Sequence, residues 1–265
     1  MNLFFNHAPV SQFDCAANYP DKEFASPTRS TIPLLDALRK DATPSFLEKL
    51  LLEAGLSNEA LDLHLEYQVK PFKGKGKASH TDLMVIQPGA PKRSIAIEAK
   101  WTEPRYETVS KWLGCGTSPE NRRNVLGGWL ESIAGHTGTR IDPGNCGDLV
   151  YQMVHRAASA VEASGAGGSP AMAYLIFKNV GEDSVKGEAP LEEYREDLRQ
   201  FRTIIGNGER FPFFLISVPI RSTAAFASLS GLTKGHLSTV QSLRLALGKA
   251  MKPLFDFGEV RIEPI

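Results

Sequence analysis

Runs of apolar and alternating residues predict the strands of this chain. Residues 61–72 are apolar at every second position, which is the pattern of a half-buried strand. Residues 80–86 and 93–101 form two further apolar runs, separated by a turn with prolines and glycine at 87–92. Such a pair predicts an antiparallel hairpin. Later apolar runs predict strands at 171–177, 211–220 and 255–262.

Apolar positions that recur every three to four residues predict helices between these strands. One helix opens at Thr43 and Pro44 and ends at Gly55, a residue type common just after helices. Other helices are predicted at 33–39 with Thr31 as cap, 121–136, 148–163 with Asp148 as cap, 190–205 and 238–251, with a weaker candidate at 105–113. Together these elements predict an α/β fold with a central mixed β-sheet flanked by helices.

The predicted hairpin carries charges where a buried strand should have none. Asp82 lies near the start of its first strand, and Glu98 and Lys100 lie near the end of its second. Opposed residues in a hairpin have a constant index sum, about 179 for a turn centred at residues 89–90. This places Asp82 opposite Glu98 or one position away, while Glu98 and Lys100 share a face.

Two opposed carboxylates repel each other unless a cation lies between them or one is protonated. A divalent metal ion with oxygen ligands is the simplest solution. The alternative is structural. A Glu-x-Lys triplet is short enough to occur by chance, and Glu98 and Lys100 would then form an ion pair at a strand end.

The pattern Asp82, hairpin, Glu98-x-Lys100 resembles the PD-(D/E)xK nuclease superfamily, which has the restriction-endonuclease-like fold. Thr81 stands where the superfamily name has a proline, and the earlier Pro20-Asp21 has no Glu-x-Lys strand close behind it. The resemblance covers roughly residues 47–178 and extends to the order helix, three antiparallel strands, helix, strand. It implies one nuclease-like domain over 1–265, with an irregular extension at 1–30, a catalytic core at 31–178 and a C-terminal elaboration at 179–265.

The resemblance implies a divalent-metal-dependent endonuclease that acts on DNA, of restriction or defence type. Asp82, Glu98 and the backbone carbonyl of Ala99 would hold Mg²⁺ or Mn²⁺. Lys100 would orient or help to deprotonate the attacking water and stabilise negative charge.

Members of the superfamily often add a glutamate from the first core helix and a polar residue from the helix after the Glu-x-Lys strand. Glu48 is the expected glutamate, with Glu53 as the alternate, although both fit ordinary solvent-facing helix positions. Gln152 is the expected polar residue, with His155 and Arg156 close to it at helical spacing. A single helical histidine such as His155 is also compatible with a structural role.

Lysine and glycine alternate in the loop that leads into the Asp82 strand. Lys73, Lys75 and Lys77 could bind the phosphates of a nucleic acid, since the glycines let the backbone approach a ligand closely. A mobile, solvated turn is the alternative, because the same residue types favour it.

Composition limits the classes of function. The 265 residues contain 30 basic and 30 acidic residues, so the overall charge gives no support to a DNA partner. Three widely spaced cysteines predict neither a disulfide framework nor a zinc site and fit a cytoplasmic protein. We find no leader pattern, no apolar run near the ~20 residues of a membrane helix, and no NTPase, serine hydrolase or zincin motif.

One alternative function stays open at this point. A nuclease-fold module could bind nucleic acid or a protein without cleavage, and the balanced charge favours it, whereas the intact Asp-Glu-Lys set favours cleavage. A homodimer would suit two cuts in a duplex, with the long loops after Lys100 or the residues beyond Phe177 as its surface.

Overall fold

The computed structural model describes residues 1–11, 15–39, 42–57, 60–180, 189–206, 209–232, 234–248 and 252–265. The strands in these ranges are β1 (Asn2–Phe5), β2 (Ala8–Pro9), β3 (Asp62–Val69), β4 (Ser79–Gln87), β5 (Arg93–Lys100), β6 (Ser169–Asn179), β7 (Phe213–Ser222), β8 (Phe255–Phe257) and β9 (Arg261–Pro264). The helices are α1 (Cys15–Asn18), α2 (Thr31–Leu38), α3 (Ser45–Glu53), α4 (Val109–Gly114), α5 (Pro119–Thr137), α6 (Tyr151–Ser164), α7 (Leu191–Ile205), α8 (Ala224–Ser230) and α9 (Leu237–Ala246), with 3₁₀ turns at Asp21–Phe24 and Pro143–Cys146.

The strands form one mixed sheet in the order β2-β1-β3-β4-β5-β6-β7-β8, and β9 also pairs with β7. The centre of the sheet is the meander β3-β4-β5, in which neighbours are antiparallel. β6 then runs parallel to β5, and β7 runs parallel to β6. The prediction of an α/β fold with a central mixed sheet flanked by helices is confirmed.

Each face of the sheet is covered by its own hydrophobic core. One core contains Leu83, Val85 and Ile97 together with side chains of α2, α3 and α9. The other contains Met84 and Ala96 together with side chains of α5, α6 and α7. Because strand side chains alternate, the even-numbered positions at the end of β5, including 98 and 100, face the second set of helices.

The amino-terminal segment differs from the prediction of an irregular extension over residues 1–30. β1 pairs with β3 in parallel and β2 folds back on β1, so this segment extends the sheet. A strand of four residues has too short a pattern to be recognised from sequence, and its position depends on a partner about sixty residues later. The prediction of one edge strand at 255–262 is also wrong, because β8 and β9 pair with different halves of β7.

The predicted capping residues of two helices are wrong. α2 begins at Thr31, and the preceding Ser30 donates its amide and its hydroxyl to Glu103 Oε1, at 2.6 and 2.7 Å. α6 begins at Tyr151 and not after Asp148, since Val150 is held extended by a bridge to Thr108. The last residues of the helix predicted at 238–251 lie outside the described residues, and α9 ends at 246.

β3 changes the face on which it buries its side chains. Leu63 and Leu65 belong to the first core, but Tyr67 and Val69 belong to the second, although all four are odd-numbered. Glu66 lies at the change and has a φ of 51°, a left-handed conformation that is rare for residues other than glycine. The local twist directs the ends of β3 and β4 towards α5 and α6.

Candidate active site

The two carboxylates predicted for the site lie next to each other at the open end of the hairpin. Backbone pairing of β4 with β5 ends at Leu83 and Ile97, so Asp82 and Glu98 are the next residues on their strands. Oδ2 of Asp82 accepts a hydrogen bond from the backbone amide of Ala99 at 2.8 Å. The predicted register is confirmed.

Glu98 is 2% exposed and is held by three hydrogen-bond donors. Its Oε1 accepts from Lys100 Nζ at 2.9 Å and from Gln152 Nε2 at 2.7 Å, and its Oε2 accepts from Arg156 Nε at 2.5 Å. Gln152 and Arg156 are four residues apart on α6 and therefore point the same way. The structure thus brings Gln152, chosen from its sequence position, into contact with the carboxylate.

The pKa values of the two carboxylates are shifted in opposite directions. Burial alone would raise the pKa of Glu98, but Arg156 and Lys100 lower it below its usual value. Burial and the neighbouring Glu98 raise the pKa of Asp82 well above its usual value. For Lys100, burial lowers the pKa, but Glu98 and Asp82 raise it above its usual value, so its ammonium group stays protonated.

A second network on α6 fixes the protonation of His155. Its Nδ1 lies 2.9 Å from the hydroxyl of Ser79 and 3.2 Å from Nη1 of Arg156, which also donates to Ser79 at 2.8 Å. A guanidinium can only donate, so Nδ1 is an acceptor. Burial, Arg156 and Lys100 lower the pKa of His155 well below its usual value, and the neutral ring therefore carries its proton on Nε2.

Some buried polar atoms around Glu98 are unpaired within the described residues. Oε1 of Gln152 and the hydroxyls of Tyr174 and Tyr194 are among them. Tyr174 is the neighbour of Glu98 on β6, and it belongs to the same core as α6. Buried polar groups normally have partners, so such a gap beside two carboxylates is typical of a place that binds water, an ion or a polar ligand.

The donor atoms at the carboxylate pair suit a hard divalent cation. Asp82 and Glu98 supply carboxylate oxygens, and Ala99 supplies a carbonyl, which in an extended strand points to the same side as the amide that binds Asp82. Mg²⁺ prefers oxygen ligands, needs one or two carboxylates and keeps several waters. Across the described ranges no three His, Cys, Asp or Glu side chains are grouped to hold a metal ion, so water and substrate oxygens would supply the remaining ligands.

Asp82, Glu98, Lys100, Gln152 and His155 all line one cavity of 880 Å³. Two groups of residues add to its lining. The first comprises charged residues of the amino-terminal segment, β3 and the segment after β5, namely Lys22, Glu23, Arg29, Glu66 and Glu103. The second, here called the aromatic wall, comprises residues of the lysine loop and of the segments around α4, α5 and α6, namely Lys75, Lys77, Tyr106, Trp112, Arg122 and Tyr151. The cavity is open to solvent, as a substrate site must be.

The lysine-glycine loop is docked on α5. Asn121 accepts from the backbone amide of Lys75 at 2.7 Å and donates to its carbonyl at 2.6 Å. A Cβ at Gly74 would lie 2.8 Å from a methyl group of Val125, so the loop and the helix are in close contact. Lys75 and Lys77 line the cavity, whereas Lys73 pairs with Glu131 at 2.7 Å and does not line it.

The structure does not bring Glu48 or Glu53 to the site. Both are exposed on α3, and the buried side of this helix packs on the core behind the opposite face of the sheet. Glu66 and Glu23 line the cavity in their place, and the charge of Glu66 contributes to the raised pKa of Asp82. Sequence reasoning missed Glu66 because it occupies an ordinary polar position in the alternation of β3.

Aromatic rings extend from the mouth of the cavity towards Glu98. Trp112 and Tyr151 stack with centroids 3.8 Å apart, and Arg122 lies over Trp112 with its guanidinium carbon 4.9 Å from the ring centre. Tyr151 in turn contacts His155 edge-on at 5.0 Å. Trp101 and Trp129 are buried core residues, whereas Trp112 is only partly buried and was not singled out from the sequence.

Comparison with known proteins places the chain in a family. The model of a family described as a domain of unknown function, DUF6946, matches residues 10–211, which is more than half of the chain. The chain belongs to this family. The match includes β3 to β6, α5, α6 and every residue of the carboxylate cluster. No curated protein and no solved structure matches the chain significantly, and no helix in the described ranges is both long and apolar enough to cross a membrane.

Proposed function

We propose that this protein is a divalent-metal-dependent endonuclease that hydrolyses phosphodiester bonds in DNA on a restriction-endonuclease-like core. The observation that carries the proposal is the meeting of Asp82 and Glu98 at the end of one hairpin, with the ammonium of Lys100 on Glu98. The order α3, β3-β4-β5, α6, β6, with β6 parallel to β5, supports it, because the superfamily core has the same order.

Phosphodiester hydrolysis requires an activated water, neutralised charge on the phosphate and a stabilised leaving oxygen. A divalent ion held by Asp82, Glu98 and the Ala99 carbonyl would supply all three when bound. Lys100 stabilises negative charge and orients groups next to Glu98, since its pKa keeps it a hydrogen-bond donor.

Residues of α6 prepare the site for this reaction. Gln152 and Arg156 hold the two oxygens of Glu98 from the helix side, so the carboxylate needs no reorganisation when substrate arrives. His155 adds a neutral Nε2–H donor to the cavity wall, suited to a phosphate oxygen.

The proposal is tested with Asp82→Asn, Glu98→Gln and Lys100→Met, and with Glu48→Gln as the control. The control removes a carboxylate that is exposed outside the cavity. Mn²⁺ is titrated calorimetrically into each protein, and cleavage of supercoiled plasmid and of single-stranded circular DNA is followed in the same buffer.

We expect the wild type and the control to bind Mn²⁺ and cleave DNA. The three site variants should lose at least about a hundredfold in rate, with thermal unfolding showing that each is folded. Cleavage that survives in all three site variants would refute the proposal.

A second function, nucleic-acid binding without cleavage, is favoured by the charge balance of the cluster. Lys100 and Arg156 both pair with Glu98, so the charge of this buried carboxylate is already balanced without a metal ion. This function predicts no Mn²⁺ heat, no cleavage product, and nucleic-acid binding that is unchanged by the same three substitutions.

A further inference from the structure

We infer that the substrate bound in this cavity is single-stranded nucleic acid, with an unpaired base stacked on Tyr106. This inference rests on the proposed function and adds the substrate class. The ring of Tyr106 lies at the mouth of the cavity and is 42% exposed. Among the described residues it makes no ring contact, whereas Trp112 and Tyr151 behind it are stacked on each other.

Which aromatic rings of the cavity are covered and which are exposed determines what kind of ligand can stack there. Trp112 has Tyr151 on one side and Arg122 nearby, and a Cβ at Gly116 would lie 2.9 Å from the Arg122 guanidinium. The stack is therefore occupied, whereas Tyr106 is exposed and has no ring partner among the described residues. Inside a duplex the faces of the bases are covered by their neighbours and only the edges are accessible in the grooves. An exposed ring face can therefore stack only on an unpaired or extruded base.

The size of the cavity favours the same substrate. A volume of 880 Å³ is that of a pocket for a small organic ligand and suits one or two nucleotides rather than a double helix. The walls are also fixed at this point, because Asn121 and Gly74 dock the lysine loop on α5. Lys75 and Lys77 then lie in the aromatic wall, where a single-stranded backbone would pass.

The overall charge of the chain also favours a single-stranded substrate over a duplex. Duplex binding depends mainly on neutralising phosphates, and this chain has no net positive charge. Single-strand binding adds the stacking of bases on aromatic rings to contacts between cations and phosphates. A neutral protein with aromatic rings and two lysines at the cavity mouth matches the second mode.

Binding without cleavage tests the inference. In EDTA, fluorescence anisotropy measures the affinity of the full-length protein for labelled dT and rU 12-mers and for a blunt DNA duplex of the same length. We expect both single strands, or one of them, to bind at least about tenfold more tightly than the duplex. Tyr106→Ala should weaken single-strand binding roughly tenfold and Tyr106→Phe should preserve it. Leu245→Ala, at an exposed apolar residue of α9 outside the cavity, should change nothing.

The outcomes separate this inference from the proposed function. A duplex that binds as tightly as the single strands, or a Tyr106→Ala protein with unchanged single-strand affinity, would overturn the inference even if plasmid DNA is cleaved. Single-strand binding that depends on Tyr106, in a protein that never cleaves DNA with Mn²⁺, would support the inference and refute the proposed cleavage.

Discussion

Arg156 donates to the carboxylate of Glu98 at 2.5 Å, in a place where both side chains are almost completely buried. Arg156→Met removes this donor to Oε2 and leaves the buried carboxylate with Lys100 and Gln152 on Oε1 alone. We expect Arg156→Met to lower the free energy of unfolding by about 3 kcal/mol or more in urea titrations.

The control for Arg156→Met is Arg140→Met, at an exposed arginine, which should change stability by no more than about 0.5 kcal/mol. The double variant Arg156→Met with Glu98→Gln should lose less stability than the sum of the two single variants, because the two side chains share one ion pair. If Arg156→Met unfolds no more easily than Arg140→Met, the ion pair does not stabilise the fold.

Gly74 and Gly55 form a matched pair for testing how the basic loop is held. Both have left-handed backbones, with φ of 73° and 66°, but a Cβ would collide with Val125 and Asn121 at Gly74 and meet nothing within 4 Å at Gly55. Gly55→Ala should therefore cost about 1 kcal/mol for the backbone alone. Gly74→Ala should cost a further ~1–3 kcal/mol for the collision. Equal losses in denaturant titrations would mean that the loop moves away freely.

His64 should make the protein less stable in mild acid. Burial and the neighbouring His7 lower the pKa of His64 from 6.5 to about 4. Between these values the unfolded chain binds a proton that the folded protein does not, so stability falls as the pH decreases from 6.5 towards 4. His64→Phe keeps a flat ring against Phe4, which now stacks on His64 with centroids 4.4 Å apart, and removes the titration. Its melting temperature should fall less over this window than that of the wild type, and parallel curves would contradict the assignment.

The left-handed residue Glu66 should tolerate glycine better than its neighbour Gln68. Glycine adopts positive φ without the penalty of a Cβ, and this gain offsets the flexibility it adds to the unfolded chain. We expect Glu66→Gly to stay within about 0.5 kcal/mol of the wild type, while Gln68→Gly, at an ordinary strand position, loses about 1 kcal/mol. A larger loss at residue 66 than at residue 68 would show that the Glu66 side chain, and not its backbone, dominates there.

Local patterns made part of the site predictable from the sequence. The turn fixed the register of the hairpin, so Asp82 and Glu98 could be paired by counting along the chain. The spacing of four residues on α6 predicts that Gln152 and Arg156 lie on the same helix face. It does not show that both side chains bind the same carboxylate, that of Glu98.

The unpredicted parts depend on contacts between distant segments. Glu48 was expected in the site, but α3 packs behind the opposite face of the sheet, and no local pattern tells which face a helix covers. Ser79 and His155 meet only because α6 lies across the strand ends, and Asn121 meets Lys75 only because the loop folds onto α5. The positive φ of Glu66 leaves the polar and apolar alternation of β3 intact, so the sequence gives no sign of it.

At Glu66 the odd-numbered side chains of β3 change from one face of the sheet to the other. Positions with the same parity belong to the first core on one side of residue 66 and to the second core on the other. An insertion or deletion next to residue 66 would exchange these two sets of positions, so length changes should not be tolerated in the strand beside Glu66.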